Sequence, residues 1–364
     1  MTSTMYEKQA KLIVNYSVEV KKDDKVLIRG PAVAESLIRE IYKEVVLAGG
    51  HPILLVDLED IDTLFYKHAQ EHHLDFASPF AKFLFETIDC DIGVWAEYNT
   101  RNLTNVPPEK LSRRSAAYRE IAEIQFKRAG AGELKWNGSP FATTGIAQEA
   151  SLSRLEFQEL IEKTLFLDKA DPIAEWKKVS EQQQRGVDFL NNAEELRIVG
   201  DDIDLQMSVT GRKWENCCGM KNLPDGEVFT APVDDSATGH IRFKYPGIYQ
   251  GKEIEDIRLK FEKGQVVEAK ALKGEELLQT IIKTDSGAER IGEIGIGTNP
   301  GVTKLTRSML FDEKMGGTIH LALGMAYPEV GGTNKSAIHW DILAQPSEMY
   351  ADGEIFWKDG KFTI

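Results

Sequence analysis

The feature that most constrains how this chain can fold is a change of hydrophobic period about half-way along it. In the first half, short apolar runs alternate with stretches of helical spacing. Lys25-Val26-Leu27-Ile28 reads as a strand, and Leu37, Ile38, Ile41, Val45 and Val46 then repeat at helical spacing before Gly49-Gly50 supplies a stop. His51 to Val56 reads as the next strand, a helical stretch follows over 60–74, and Asp91 to Trp95 reads as a third strand. Pro107-Pro108 precedes a helix running to Gly130, Ser153 to Glu156 has capping-box form, and Asp171-Pro172 opens a helix reaching about Asn191. That rhythm predicts a wound α/β domain with a largely parallel sheet over residues 1–192. From Glu195 the texture becomes alternation of period two, as in Ile203 to Val209, with turn signals at Pro224-Asp225-Gly226, Asp352-Gly353 and Asp359-Gly360. Residues 193–364 are therefore predicted to form a β-rich α+β domain, interrupted by one clear helix over 274–284.

Charge and cysteine content exclude several classes of function. With 58 acidic against 44 basic residues the formal charge is -14, which repels phosphate backbones and anionic membranes, so neither nucleic acid nor membrane is an expected partner. Three cysteines, Cys90, Cys217 and Cys218, cannot build a disulfide framework or a four-thiolate zinc site, and the cytoplasm is the expected compartment. No run approaches the roughly 18 apolar residues that a membrane span needs.

Seven histidines can be weighed one by one. His68-Ala69-Gln70-Glu71-His72 fits a pattern in which two histidines one helical turn apart bind zinc, but its polar surroundings favour a solvated helix face. His51 reads as a strand-entry residue. The glycines between Gly292 and Gly301 lack both the dinucleotide-loop spacing and a following phosphate-binding lysine. More telling is Ser336 to Ile342, where Ile338, Trp340 and Ile342 share one face of a predicted strand while His339 and Asp341 share the other, about 7 Å apart at the backbone. His320 stands likewise opposite Ile319, Leu321 and Leu323, beside the small residues Ala322 and Gly324. Each pattern alone is more often the wet or tightly packed face of a strand. Glu227 and Glu293 lie in equally apolar settings, where a carboxylate is rarely found unless paired or bound to metal. Together Glu227, Glu293, His320, His339 and Asp341 make a thiolate-free donor set that suits zinc, cobalt or manganese at a hydrolytic centre. Five donors exceed the needs of one catalytic zinc, and two ions sharing a carboxylate would use them all.

Leu310 to Lys314, then His320 to Gly324, Tyr327, Asn334 to Asp341, and Asn222 to Pro232 closely resemble the corresponding motifs of the thermophilic M29 metalloaminopeptidases. The resemblance implies a metal-dependent aminopeptidase that releases N-terminal residues from peptides. It also implies metal ligation by Glu227, Glu293, His320, His339 and Asp341, with Glu293 either bridging or accepting the water's proton, and Tyr327 as an active-site tyrosine. The expected cofactors are two divalent ions, zinc or cobalt, with manganese or magnesium as alternatives, and a homodimer is implied. The segment from Lys314 to Gly317 departs from the family pattern. A rival reading makes His320, His339 and Asp341 the facial triad of a mononuclear iron oxygenase, and a third makes the chain a non-catalytic binding protein.

Overall fold

A computed structural model describes residues 2–364, which fall into two compact units, residues 2–173 with 219–224, and residues 174–218 with 225–364. In the first unit four strands, β1 (Lys25–Pro31), β2 (His51–Asp57), β3 (Cys90–Trp95) and β4 (Lys135–Pro140), form a parallel sheet in the order β2-β1-β3-β4. Helix α1 (Glu35–Leu47) supplies the first crossover and buries Leu37, Ile38, Ile41 and Val45, as its apolar spacing requires. The strand β4 is not legible in the sequence because Lys135-Trp136-Asn137-Gly138 carries no apolar alternation. Its open edge is extended by 219–224: Gly138 N–H donates to the Lys221 carbonyl and Leu223 N–H to the Gly138 carbonyl, both at 2.9 Å.

The predicted helical stretch at 60–74 is broken into α2 (Ile61–His68) and α3 (Glu71–Leu74). Ala69 adopts an extended conformation at the break. His68 and His72 therefore do not share a helix face, and both are exposed. The expected helix to Gly130 is likewise two helices, Pro108–Ala117 and Arg119–Gly130. The capping box is formed: Ser153 N–H donates to Glu156 Oε2 at 2.8 Å and Glu156 N–H to Ser153 Oγ at 3.2 Å.

The helix α4 (Pro172–Leu190), which the sequence rhythm groups with the first half, falls mostly in the second unit. Its Gln183 side chain is buried there and donates to the carbonyls of Cys217 and Glu227, both at 3.0 Å. Among the described residues this unit holds three antiparallel sheets, the smallest being the strand pair Gly247–Tyr249 with Lys252–Ile254 and the other two much larger. Eight strands run from Gln265–Lys270 through Ile257–Glu262, Thr238–Phe243, Ile203–Ser208, Glu195–Gly200, Glu348–Ala351 and Glu354–Lys358 to Lys361–Phe362. Five more, β5 (Glu215–Cys217), β6 (Glu227–Thr230), β7 (Ile291–Gly297), β8 (Ile319–Gly324) and β9 (His339–Ala344), are ordered β9-β8-β7-β6-β5. One core joins them: Leu196, Leu205, Phe243 and Phe261 meet Val228, Ile294, Ile296, Leu321, Trp340 and Ile342. At about 1.5–3 kcal/mol for each fully buried aliphatic or Phe side chain, that face fixes the register of the five strands. Their alternate residues are thereby committed to the opposite face.

Candidate metal centre

That opposite face carries Glu227, Glu293, His320, His339 and Asp341, because each alternates with a core residue. Register then sets a small residue beside nearly every one of them. Glu227 pairs across the ladder with Gly297, His320 with Gly295, Glu293 and Asp341 with Ala322 from its two sides, and His339 with Gly324. The need for small neighbours is steric: a Cβ on Gly295 would lie 2.1 Å from His320 Cε1 and Nε2, and one on Gly297 would lie 2.2 Å from the Met315 carbonyl. The glycines of β7 thus make room for an imidazole and a close backbone crossing, and not for a phosphate.

The donors converge. His320 Nε2 is 3.0 Å from Glu293 Oε1 and 3.5 Å from Glu227 Oε2, while His339 Nε2 is 3.5 Å from Glu293 Oε2 and 3.6 Å from Asp341 Oδ1. His339 is oriented from behind by a 2.7 Å hydrogen bond between its Nδ1 and the Met325 carbonyl, which leaves Nε2 facing the carboxylates. Glu227 Oε2 and Asp341 Oδ1 are buried with no hydrogen-bond partner among the described residues. Donors about 2.0–2.2 Å from one tetrahedral ion stand roughly 3.4 Å apart, so the three wider gaps are long for a hydrogen bond and apt for atoms that share a cation. The residues present therefore fit a divalent metal centre.

Electrostatics point the same way. Burial pushes Glu227 up to about 7 and Asp341 up to about 6, and raises Glu293 as well. His320, although burial opposes its charge, is pushed up to about 10 by its bond to Glu293 and by the Glu227 carboxylate. Removing a carboxylate from water costs several kcal/mol even after relaxation, and three of them side by side need cations.

The chain matches the family described as thermophilic metalloprotease (M29) over residues 2–362. It belongs to that family. Among its relatives are aminopeptidase 2 of Geobacillus stearothermophilus, 27% identical over 98% of this chain and 94% of the relative, and aminopeptidase T of Thermus thermophilus, 32% identical over 72% and 71%. A solved structure of wild-type AmpT from Thermus thermophilus shares the fold with a TM-score of 0.86, covering all of both chains at 24% identity.

This M29 chain also brings two residues to the centre that sequence reasoning did not assign. Glu313 offers an oxygen within 4.8 Å of ligand atoms of His320 and Asp341. Although burial opposes its charge, neighbouring Lys314 and His320 hold its carboxyl below the usual range. Lys314 is buried and bonds Glu227 Oε1, with Glu313 Oε1 at 2.7 Å and Asp225 Oδ1 at 3.9 Å. Both residues follow a one-turn helix, Met309–Asp312, where no period marks an inward face. The turn Pro224-Asp225-Gly226 is correspondingly no surface turn: Asp225 is buried, and Gly226 takes φ 111°, which favours glycine. Tyr327 lies beyond the end of β8, just before the short helix Pro328–Val330. Its ring is 4.8 Å from that of His339 and 5.9 Å from that of Phe229. Burial raises the Tyr327 hydroxyl pKa, aided by Glu293 and Asp341, so the phenol keeps its proton. His68, Glu71 and His72 belong to the first unit and take no part in this cluster.

Proposed function

We propose that this chain is a metal-dependent aminopeptidase in which Glu227, Glu293, His320, His339 and Asp341 would hold two divalent ions, zinc or cobalt, with Glu293 as the ligand common to both. The observation that carries this reading is the division of Glu293: Oε1 faces His320, whereas Oε2 faces His339. A carboxylate whose two oxygens address two histidines is suited to bridge, which argues for Glu293 as a shared ligand rather than as the proton acceptor. Glu313 would be a sixth donor, since an oxygen of its carboxylate lies within 4.8 Å of ligand atoms of both His320 and Asp341. Manganese or magnesium would satisfy the carboxylates, but the two imidazoles favour zinc or cobalt.

Bound ions would supply a water of lowered pKa, polarisation of the scissile carbonyl and a contact for the free α-amine of the substrate. The protein's own groups do the rest. The Met325 carbonyl fixes the His339 ring, so that its donor nitrogen needs no reorientation. Tyr327, protonated and beside His339, is placed to donate a hydrogen bond to the oxyanion that develops on the scissile carbonyl, a contribution that grows toward the transition state.

The test is dialysis against chelator, then add-back of zinc or cobalt with amino-acid anilides as substrate. Restored activity in the wild type, with none in Glu227→Ala and His339→Ala, is the expected result; full metal-dependent activity in both variants sinks the ligand assignment. Two equivalents of zinc or cobalt are expected, against one of iron for the oxygenase reading.

The cytoplasm suits three cysteines that are all unbridged. A homodimer is also part of this reading. Among the described residues strand β2 pairs only with β1 and exposes Ile53, Leu54, Leu55 and Val56, and the same edge on a second copy can pair with it about a two-fold axis. Light scattering should give twice the chain mass, and charged substitutions at Leu54 and Val56 should halve it.

A further inference from the structure

Three clusters of potential metal donors occur among the described residues. Two contain His320 and belong to the centre described above. The third, Cys217 with Asp225 and Glu227, shares with that centre only Glu227, and its ligand atoms lie within 4.8 Å of one another. By donor chemistry it is a reasonable nest for zinc or cobalt, with one thiol and two carboxylates. A cation already stands against its two carboxylates. The Lys314 ammonium, on a side chain only 2% exposed, bonds Glu227 Oε1, lies 3.9 Å from Asp225 Oδ1, and reaches across to Glu313 Oε1 at 2.7 Å.

The arrangement is specific in what it does to Glu227. One oxygen of that carboxylate bonds the ammonium, and the other, Oε2, has no hydrogen-bond partner among the described residues and faces His320. Glu227 therefore stands between a permanent cation on one side and the metal centre on the other, as a bridging carboxylate stands between two metals. A lysine ammonium is a compact point charge with three donors and no acceptor, so it can take the place of an ion among carboxylates but cannot act as a ligand to one.

We propose that Lys314 is a built-in third cation: its ammonium fills the Cys217, Asp225 and Glu227 nest, keeps a further divalent ion out of it, and limits Glu227 to one oxygen at the metal centre. The inference rests on the metal centre proposed above and concerns a neighbouring position. Lys314 acts through Glu227 and Glu313 and is a positioning residue. Without it, a divalent ion would take up Asp225, Glu227 and the Cys217 thiolate, the thiol proton passing to the buffer.

The test uses the full chain, stripped with chelator, reloaded with excess cobalt and desalted, with metal per chain measured by mass spectrometry and absorption recorded in the near ultraviolet. Lys314→Met is expected to retain one more equivalent of cobalt than the wild type and to gain a thiolate-to-cobalt charge-transfer band. The double variant Lys314→Met, Cys217→Ser should lack the band, and Lys314→Arg, which keeps a cation, should match the wild type in both readings. Equal cobalt content in wild type and Lys314→Met, with no band in either, overturns the proposal. The wild type is a check that requires no variant to fold: a thiolate band at saturating cobalt means Lys314 does not keep the nest, and overturns it too. Failure of the metal centre itself looks different, since the wild type would then retain no cobalt at all.

Discussion

Replacing Gly295 by alanine places one methyl group where the structure has no room for it. The added Cβ would lie 2.1 Å from His320 Cε1 and Nε2, whereas ordinary contact begins at 3.4 Å. The ring, or the strand carrying it, must therefore retreat by about 1.3 Å, the difference between those two distances. Gly295 and His320 are paired residues on adjacent central strands, buried on both faces, so the backbone has little freedom to yield. A retreat of that size takes Nε2 out of reach of Glu293 Oε1, now 3.0 Å away, and of the ion they would share. Misplacing a catalytic group by about 1 Å can cost on the order of 100-fold in rate, and outer-shell changes at metal sites cost about 10–100-fold in affinity. Gly295→Ala is thus expected to weaken cobalt binding by at least about 10-fold and to lower kcat/KM on amino-acid anilides by about 100-fold. Competition against a chromophoric chelator measures the first quantity and initial rates the second. Wild-type affinity in a folded Gly295→Ala protein would refute the claim that this glycine exists to admit a metal-binding imidazole.

Tyr327→Phe should lower kcat by roughly 100-fold with little change in KM, as loss of one oxyanion donor does, and a change confined to KM would place the tyrosine in substrate binding instead. Glu313→Gln removes a donor near His320 and Asp341 as well as a partner of Lys314, so metal affinity measured by chelator competition should fall about 10-fold or more; unchanged affinity would exclude Glu313 from the centre. Burial raises Glu227 to about 7 and Asp341 to about 6 in the metal-free chain, and His320 is pushed up to about 10 by Glu293 and Glu227 against the effect of burial. Each group takes up protons on folding, so its stabilising contribution is complete below its unfolded pKa and is lost as pH rises through the folded one. The rise in Tm on adding zinc should accordingly be larger near about pH 8 than near about pH 5.5, and calorimetry showing the reverse would contradict the burial argument.

The parts of the fold that are legible in the sequence are those where a period is enforced by burial. Helix α1 and the core face of β8 and β9 follow from apolar spacing, and once Ile338, Trp340 and Ile342 are given to the core, His339 and Asp341 have only one face left to occupy. Glu313 and Lys314 are not legible in that way: they follow a single helical turn and sit in irregular backbone, where side-chain direction is set by tertiary contacts. The local signal there is the Lys314 to Gly317 departure from the family pattern. Strand β4 escapes because its sequence is polar and small, and it pairs on one side with β3 and on the other with a segment 84 residues farther along. The helix α4 is grouped by its place in the chain with the first half, whereas its contacts group it with the strands of the second unit, to which Gln183 binds. The apparent zinc motif at His68 fails because it assumes a continuous helix across Ala69.

The central claim is that buried carboxylates and imidazoles on one sheet face hold divalent metal that removes residues from a free peptide N-terminus. The most direct measurement follows product release from a peptide and from its N-acetylated twin, using chain stripped by chelator and chain reloaded with zinc or cobalt. The account predicts release of the N-terminal residue from the free peptide by the reloaded chain alone, and no cleavage of the acetylated peptide under any condition. Undiminished cleavage by stripped chain, or cleavage of the acetylated peptide, would contradict it.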